Sequence, residues 1–242
     1  MRLLIPNAKE LNTNQDSHPW QPLSAMEEKI VKALQGQSIE NLVKFYKLNP
    51  LRAEQEWMRW QRLASNQAKT YPAWLLYDGL MYRYLKRSRL TTAEQTYLSK
   101  HLRIATALYG LIAPTQWIAP HRLDFQGKLM IGDKTLKQFW RKEYDKELAQ
   151  EELIISLLSS EFEHVFSPHI RKRMTRIVFM ECHEGKQISH STISKKGRGR
   201  LVSLMAEQGI TQIEQIKELS FDHFHFSPDL SNQQKLTFLR QV

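Results

Sequence analysis

Apolar positions recur along this chain with two periods, and the changes between them mark the elements. Leu3-Leu4-Ile5, the run from Leu153 to Leu158 with Ser156 as its one polar residue, and Ile177-Val178-Phe179-Met180 are short apolar stretches, as expected of buried strands. Ala73-Trp74-Leu75-Leu76-Tyr77 reads the same way and predicts a strand, with a helix as the alternative. Helical spacing begins at Ser24, whose capping box with Glu27 opens a helix to about Leu34. Ser38 starts a second, with Ile39, Leu42, Val43 and Tyr46 on one face. A third runs from about Arg52 to Ala68, with Trp57, Trp60 and Leu63 turned inward. Thr91 and Glu94 cap a helix that reaches at least His101, and another lies between Leu136 and Gln150. His183-Glu184-Gly185-Lys186 predicts a hairpin turn. The alternation from Phe221 to Phe226 predicts one strand, paired with Leu236–Arg240 and carrying His223 and His225 on one face. Strands interspersed with helices place the chain in the α/β class, as a single domain over residues 1–242.

One stretch interrupts this patterning. Ser194-Lys195-Lys196-Gly197-Arg198-Gly199-Arg200 leads into Leu201, Leu204, Met205 and Gln208 at helical spacing. Gly209 is a stop signal, and Thr211 with Glu214 forms a capping box for a following helix. The spacing predicts a helix-hairpin-helix over about 199–219, with Lys195, Lys196, Gly197, Arg198, Gly199 and Arg200 at its entrance. Glycines let backbone approach a phosphate, a helix start offers unpaired N–H groups, and the cations neutralise charge. Gly209 and Thr211 would add hairpin amides. The alternative is a solvated basic loop before an ordinary helical hairpin.

Composition adds weight to the first reading. The net charge is +10, and His169 to Arg200 holds nine Lys/Arg against Glu181 and Glu184, a net +7. Such a cluster steers polyanions to the surface. No apolar run is long enough to span a bilayer, and Met1-Arg2-Leu3-Leu4-Ile5 meets Pro6 too soon for a signal peptide, so a cytoplasmic protein without a membrane partner is expected. Cys182 is the single cysteine, and His164, His169, His183, His190, His223 and His225 follow no metal-ligand spacing, so neither metal nor cofactor is expected. No P-loop, GxSxG elbow, strand-linked GxGxxG or HExxH occurs.

His101-Leu102-Arg103, Leu108-Tyr109-Gly110-Leu111, Pro114 and Pro120-His121-Arg122-Leu123-Asp124 resemble the signature of the peroxide stress protein YaaA family. Ala8-Lys9 with Leu11, Gln138-Phe139-Trp140, Leu157 to Phe162, and Lys195-Lys196-Gly197-Arg198-Gly199 are similar to further family blocks in the same order. The chain departs from the pattern at Pro6-Asn7, Glu10, Ala113, Gln116 and His121, the last standing where tyrosine is usual. The resemblance implies a mixed-sheet α/β globule of unusual topology surrounded by helices, with a positively charged cleft and a helix-hairpin-helix. It also implies DNA binding and a part in limiting damage linked to unincorporated iron during peroxide stress.

Polar groups at expected strand ends and turns are Lys9, Asp78, Arg122, Asp124, Glu161 and Lys195. With Tyr109 of the shared run, Lys9, Arg122, Asp124 and Glu161 form a candidate cleft. A buried ion-pair network such as Arg122 with Glu161 is the favoured structural account of these groups. The leading functional expectation is a grip on the backbone of duplex or distorted DNA, without strong sequence preference. The alternative is an enzyme acting on a nucleotide or other phosphorylated substrate, with Lys9, Lys195 and Arg198 clamping the anion and Asp124 or Glu161 as general base.

Overall fold

A computed structural model describes residues 1–241. The strands in chain order are β1 (Arg2–Pro6), β2 (Tyr71–Pro72), β3 (Leu102–Thr106), β4 (Gly110–Ile112), β5 (Trp117–Ile118), β6 (Met130–Ile131), β7 (Lys134–Thr135), β8 (Ile154–Ser156), β9 (Met174–His183), β10 (Lys186–Ile188), β11 (Ser220–Phe221), β12 (Phe224–Phe226) and β13 (Lys235–Gln241). Nine of them form one mixed sheet in the order β11-β12-β13-β9-β8-β1-β3-β4, with β10 on the far part of β9. The middle of the sheet, β13-β9-β8-β1-β3, is parallel, and antiparallel strands close both sides.

The apolar run of β1 explains the layering. Leu3 and Ile5 join one core and Leu4 the other, because successive side chains point to opposite faces of a sheet. Ile155 and Ile154 of β8 divide in the same way. Eleven helices surround the sheet: α1 (Ala25–Gln35), α2 (Ile39–Tyr46), α3 (Pro50–Ala64), α4 (Ala73–Leu76), α5 (Leu80–Arg83), α6 (Thr92–His101), α7 (Leu136–Leu148), α8 (Ser160–Glu163), α9 (Pro168–Lys172), α10 (Ser191–Glu207) and α11 (Ile213–Lys217). The capping boxes at Ser24 and Thr91 are present, and Trp60 and Leu63 are fully buried. No helix among the described residues is long and apolar enough to cross a membrane.

Four expectations change. Residues 73–76 are the helical turn α4 rather than a strand, because the Ala73 and Trp74 N–H groups donate to the Gln116 and Pro114 carbonyls at 2.9 and 3.0 Å. The run from Phe221 to Phe226 is broken by Asp222 and His223 at φ 49 and 65°, a left-handed pair that reverses the chain between β11 and β12. His223 therefore sits in the turn, off the face of His225. Helix α3 ends at Ala64, where Ser65 caps it, instead of reaching Ala68. The fourth change concerns the basic run, which lies inside α10.

Candidate functional site

In an open parallel sheet, ligands gather beyond the carboxyl ends of strands where the chain's connections diverge. Here that place is between β1, which leads to β3 on one side, and β8, which leads to β9 on the other. Lys9 follows β1, and its Nζ is 2.8 Å from Asp124 Oδ2. Asn7 Nδ2 donates to the Leu123 carbonyl at 3.0 Å, holding the loop that carries Asp124 beside the end of β1. Asp124 Oδ1 accepts from the Gln126 N–H at 2.9 Å, and Gln126 Nε2 donates to Glu161 on α8, after β8. Burial pushes the Glu161 carboxyl above the ordinary range; the Gln126 hydrogen bond opposes this, Asp124 adds to it, and Lys9 and Lys137 offset it. Lys9, Asp124 and Glu161 are thus linked, through Gln126, in one polar cluster of a cation and two carboxyls.

Arg122 is not paired with Glu161, so the expected ion pair is corrected. Its guanidinium stands 5.9 Å from the Tyr46 ring centroid. The carboxyl it influences is Glu56, buried on α3 and hydrogen-bonded by Arg59 at 2.5 Å. Burial raises Glu56, while Arg59 and Arg122 draw it down. Tyr109 is half-buried, and its hydroxyl accepts from the Ala119 N–H at 3.1 Å. His121 is fully buried; its Nδ1 lies 2.8 Å from the Ala119 carbonyl, and burial pulls its pKa down to about 4.

Asp78 belongs elsewhere, paired with Arg83 at 3.3 Å and Arg87 at 3.2 Å. Arg83 also meets Glu10, and Lys86 meets Glu94 and Glu207, so this second basic group is largely neutralised by acids.

The basic run has a different architecture from the helix entrance read in the sequence. Helix α10 starts at Ser191, so Gly197 and Gly199 are its seventh and ninth residues and their amides belong to the helix ladder. They are small because of packing. A Cβ at Gly197 would stand 2.6 Å from the Phe179 ring, and one at Gly199 would overlap the Met81 carbonyl oxygen and the Tyr84 backbone. Neither glycine frees an amide for a phosphate. At the other end of α10, Gly209 turns the chain at φ 64°, and the Thr211 and Gln212 amides both donate to Gln215 Oε1 at 3.0 Å. Gln212 with Gln215, rather than Thr211 with Glu214, makes the capping box, and α11 is a single short turn. The stretch 199–219 is therefore half of a long helix, a turn and a short helix.

The cations of α10 fare unequally. Lys195 is exposed, Lys196 lies 5.3 Å from the Tyr84 ring centroid, and Arg200 Nε is 3.6 Å from Asp222. Arg198 is mostly covered, and its Nε has no hydrogen-bond partner. Burial lowers its pKa, and Glu163 counters. Glu163 is itself held by Ser156 Oγ at 2.6 Å and Arg176 Nε at 2.5 Å. His190, at the N-cap of α10, supplies no side-chain cap.

Sequence reasoning missed Asn7 and Gln126, which join this cluster, and Glu56, which holds the Arg59 guanidinium. Gln126 lies two residues past the shared Pro120–Asp124 run, a proximity that could have drawn attention to it. Among the described residues, no three His, Cys, Asp or Glu side chains gather as a metal site.

A mixed, parallel-centred sheet surrounded by helices, with a cluster of charged residues at its switch point, defines the class: an α/β protein. A family model for the peroxide stress protein YaaA matches residues 1–230, and the chain belongs to that family. It is 44% identical to a UPF0246 protein of Streptococcus gordonii over 242 residues, covering 100% of this chain and 99% of the relative. A UPF0246 protein of Streptococcus sanguinis is 45% identical, with both chains fully covered. One from Streptococcus pneumoniae is 44% identical over the same span.

Proposed function

We propose that this peroxide stress family member binds the phosphate backbone of DNA through the front half of α10. The observation that carries the reading is the pairing of exposed Lys195 with an uncapped start to a 17-residue helix, close to Arg198, which lacks a hydrogen-bond partner at Nε. A long helix concentrates partial positive charge at its start, and free amides there donate to anionic oxygens. The contacts are to backbone, so preference among sequences is weak. The glycines contribute by letting α10 sit close on Phe179 and Met81, which fixes where the cations stand. Coverage of DNA in this way fits a role in limiting damage linked to unincorporated iron. Fluorescence anisotropy with a labelled duplex tests the reading: Lys195→Ala with Lys196→Ala weakens binding about tenfold or more at low salt. Unchanged affinity contradicts it.

A second reading rests on the cluster of Lys9, Asp124 and Glu161. Glu161, raised by burial beside Lys9, is suited to hold and deliver a proton to a phosphorylated substrate. In that case Glu161→Gln abolishes turnover and leaves duplex binding intact.

A further inference from the structure

On the flank of α3, away from α10, the surface folds into a cavity of about 370 Å³ whose lining includes Arg59, Arg62, Gln67, Lys69, Tyr71 and Pro120. Arg59 and Arg62 are one helical step apart and share a flank. Past the end of α3, Asn66 adopts φ 60°, a left-handed turn that brings Gln67 and Lys69 back to the same hollow. Three cations line this space and no carboxylate does. Glu56, buried on the same helix, engages Arg59 Nη1 at 2.5 Å. That contact fixes the Arg59 guanidinium and leaves its other N–H donors for a ligand. Arg62 and Lys69 are exposed and have no ion-pair partner among the described residues. Tyr71, only 6% exposed, supplies a rigid aromatic wall.

We propose that this cavity binds a small phosphorylated molecule. Two guanidinium forks and an ammonium match the oxygens and charge of a terminal phosphoryl group. The volume falls in the range of small-ligand sites and leaves room for an organic portion against Tyr71 and Pro120. A recess of this shape takes a chain-end phosphate better than it follows a continuous backbone. The site is independent of the α10 surface.

Calorimetric titration of the full chain with inorganic pyrophosphate tests the assignment. The wild type binds, Arg62→Ala with Lys69→Ala weakens binding about tenfold or more, and Lys195→Ala with Lys196→Ala leaves it unchanged. Arg59→Lys retains the charge, loses the fork and binds at intermediate strength. Because Arg62 and Lys69 are exposed, the double variant keeps the wild-type melting temperature, which separates lost binding from lost fold. No heat with wild-type protein at millimolar pyrophosphate overturns the proposal, as does equal affinity in the double variant. A loss of duplex DNA binding in that variant without any pyrophosphate binding also overturns it, and assigns the cavity to nucleic acid.

Discussion

Single residues decide how the charge of this molecule is presented. Gly199 is the clearest case: a methyl there meets the Met81 carbonyl, so Gly199→Ala destabilises the fold by about 2 kcal/mol in denaturant unfolding, the usual scale of overpacking. If the glycine served a phosphate instead, the same change would spare stability and remove DNA binding. His121 gives a pH signature. Its folded pKa of about 4 lies below the ordinary 6.5, so the unfolded chain takes up its proton first as pH falls. Its contribution is intact above pH 6.5 and is lost between 6.5 and 4, amounting to roughly 3 kcal/mol. His121→Phe flattens that part of the stability profile; an identical acid slope in variant and wild type contradicts the assignment. In the Lys9–Asp124–Glu161 cluster, NMR titration of the Glu161 carboxyl gives a pKa above the ordinary value. Asp124→Asn lowers it by removing a negative neighbour, and Lys9→Ala raises it.

At the scale of elements, capping chemistry made much of the fold legible. Ser24, Ser38 and Thr91 announce α1, α2 and α6 because a side-chain oxygen three residues before an amide is a local signal. The apolar runs announce β1 and β8 because both faces of these central parallel strands are covered, and β9 because Ile177 and Phe179 enter the core. Where tertiary contacts decide, the local signal misleads. Lys-Lys-Gly-Arg-Gly reads as loop, since each glycine costs a helix about 1 kcal/mol against alanine, yet packing on Phe179 and Met81 requires both glycines within α10. Asp222 and His223 carry left-handed dihedrals without glycine, so the turn between β11 and β12 leaves no sequence mark. For α10 itself, an acidic N-cap such as His190→Asp satisfies a free amide and raises the melting temperature. On our reading it also lowers duplex affinity, because it occupies the helix start. Unchanged DNA affinity would remove that start from the interface.

Across the whole molecule, the sheet explains why residues distant in sequence converge. Lys9, Asp124 and Glu161 meet because β1 and β8 are neighbours whose connections run in opposite directions. Sequence marks these residues as polar groups at strand ends but cannot pair them, since strand order is set by long-range register; Arg122 accordingly stands by Tyr46 and Glu56 rather than by Glu161. The same arrangement sorts the excess positive charge. The group around Arg83 to Arg87 is consumed by acids, whereas Lys195 and the Arg59 cavity remain available to anions. The central claim, that α10 grips nucleic-acid backbone by charge, is tested most directly by duplex affinity measured against salt concentration on two unrelated sequences. The account predicts parallel lines for the two duplexes in the wild type, and in Lys195→Ala with Lys196→Ala a slope shallower by about 0.9 per lost phosphate contact. An unchanged slope in the variant, or affinity governed by sequence instead of salt, would contradict it.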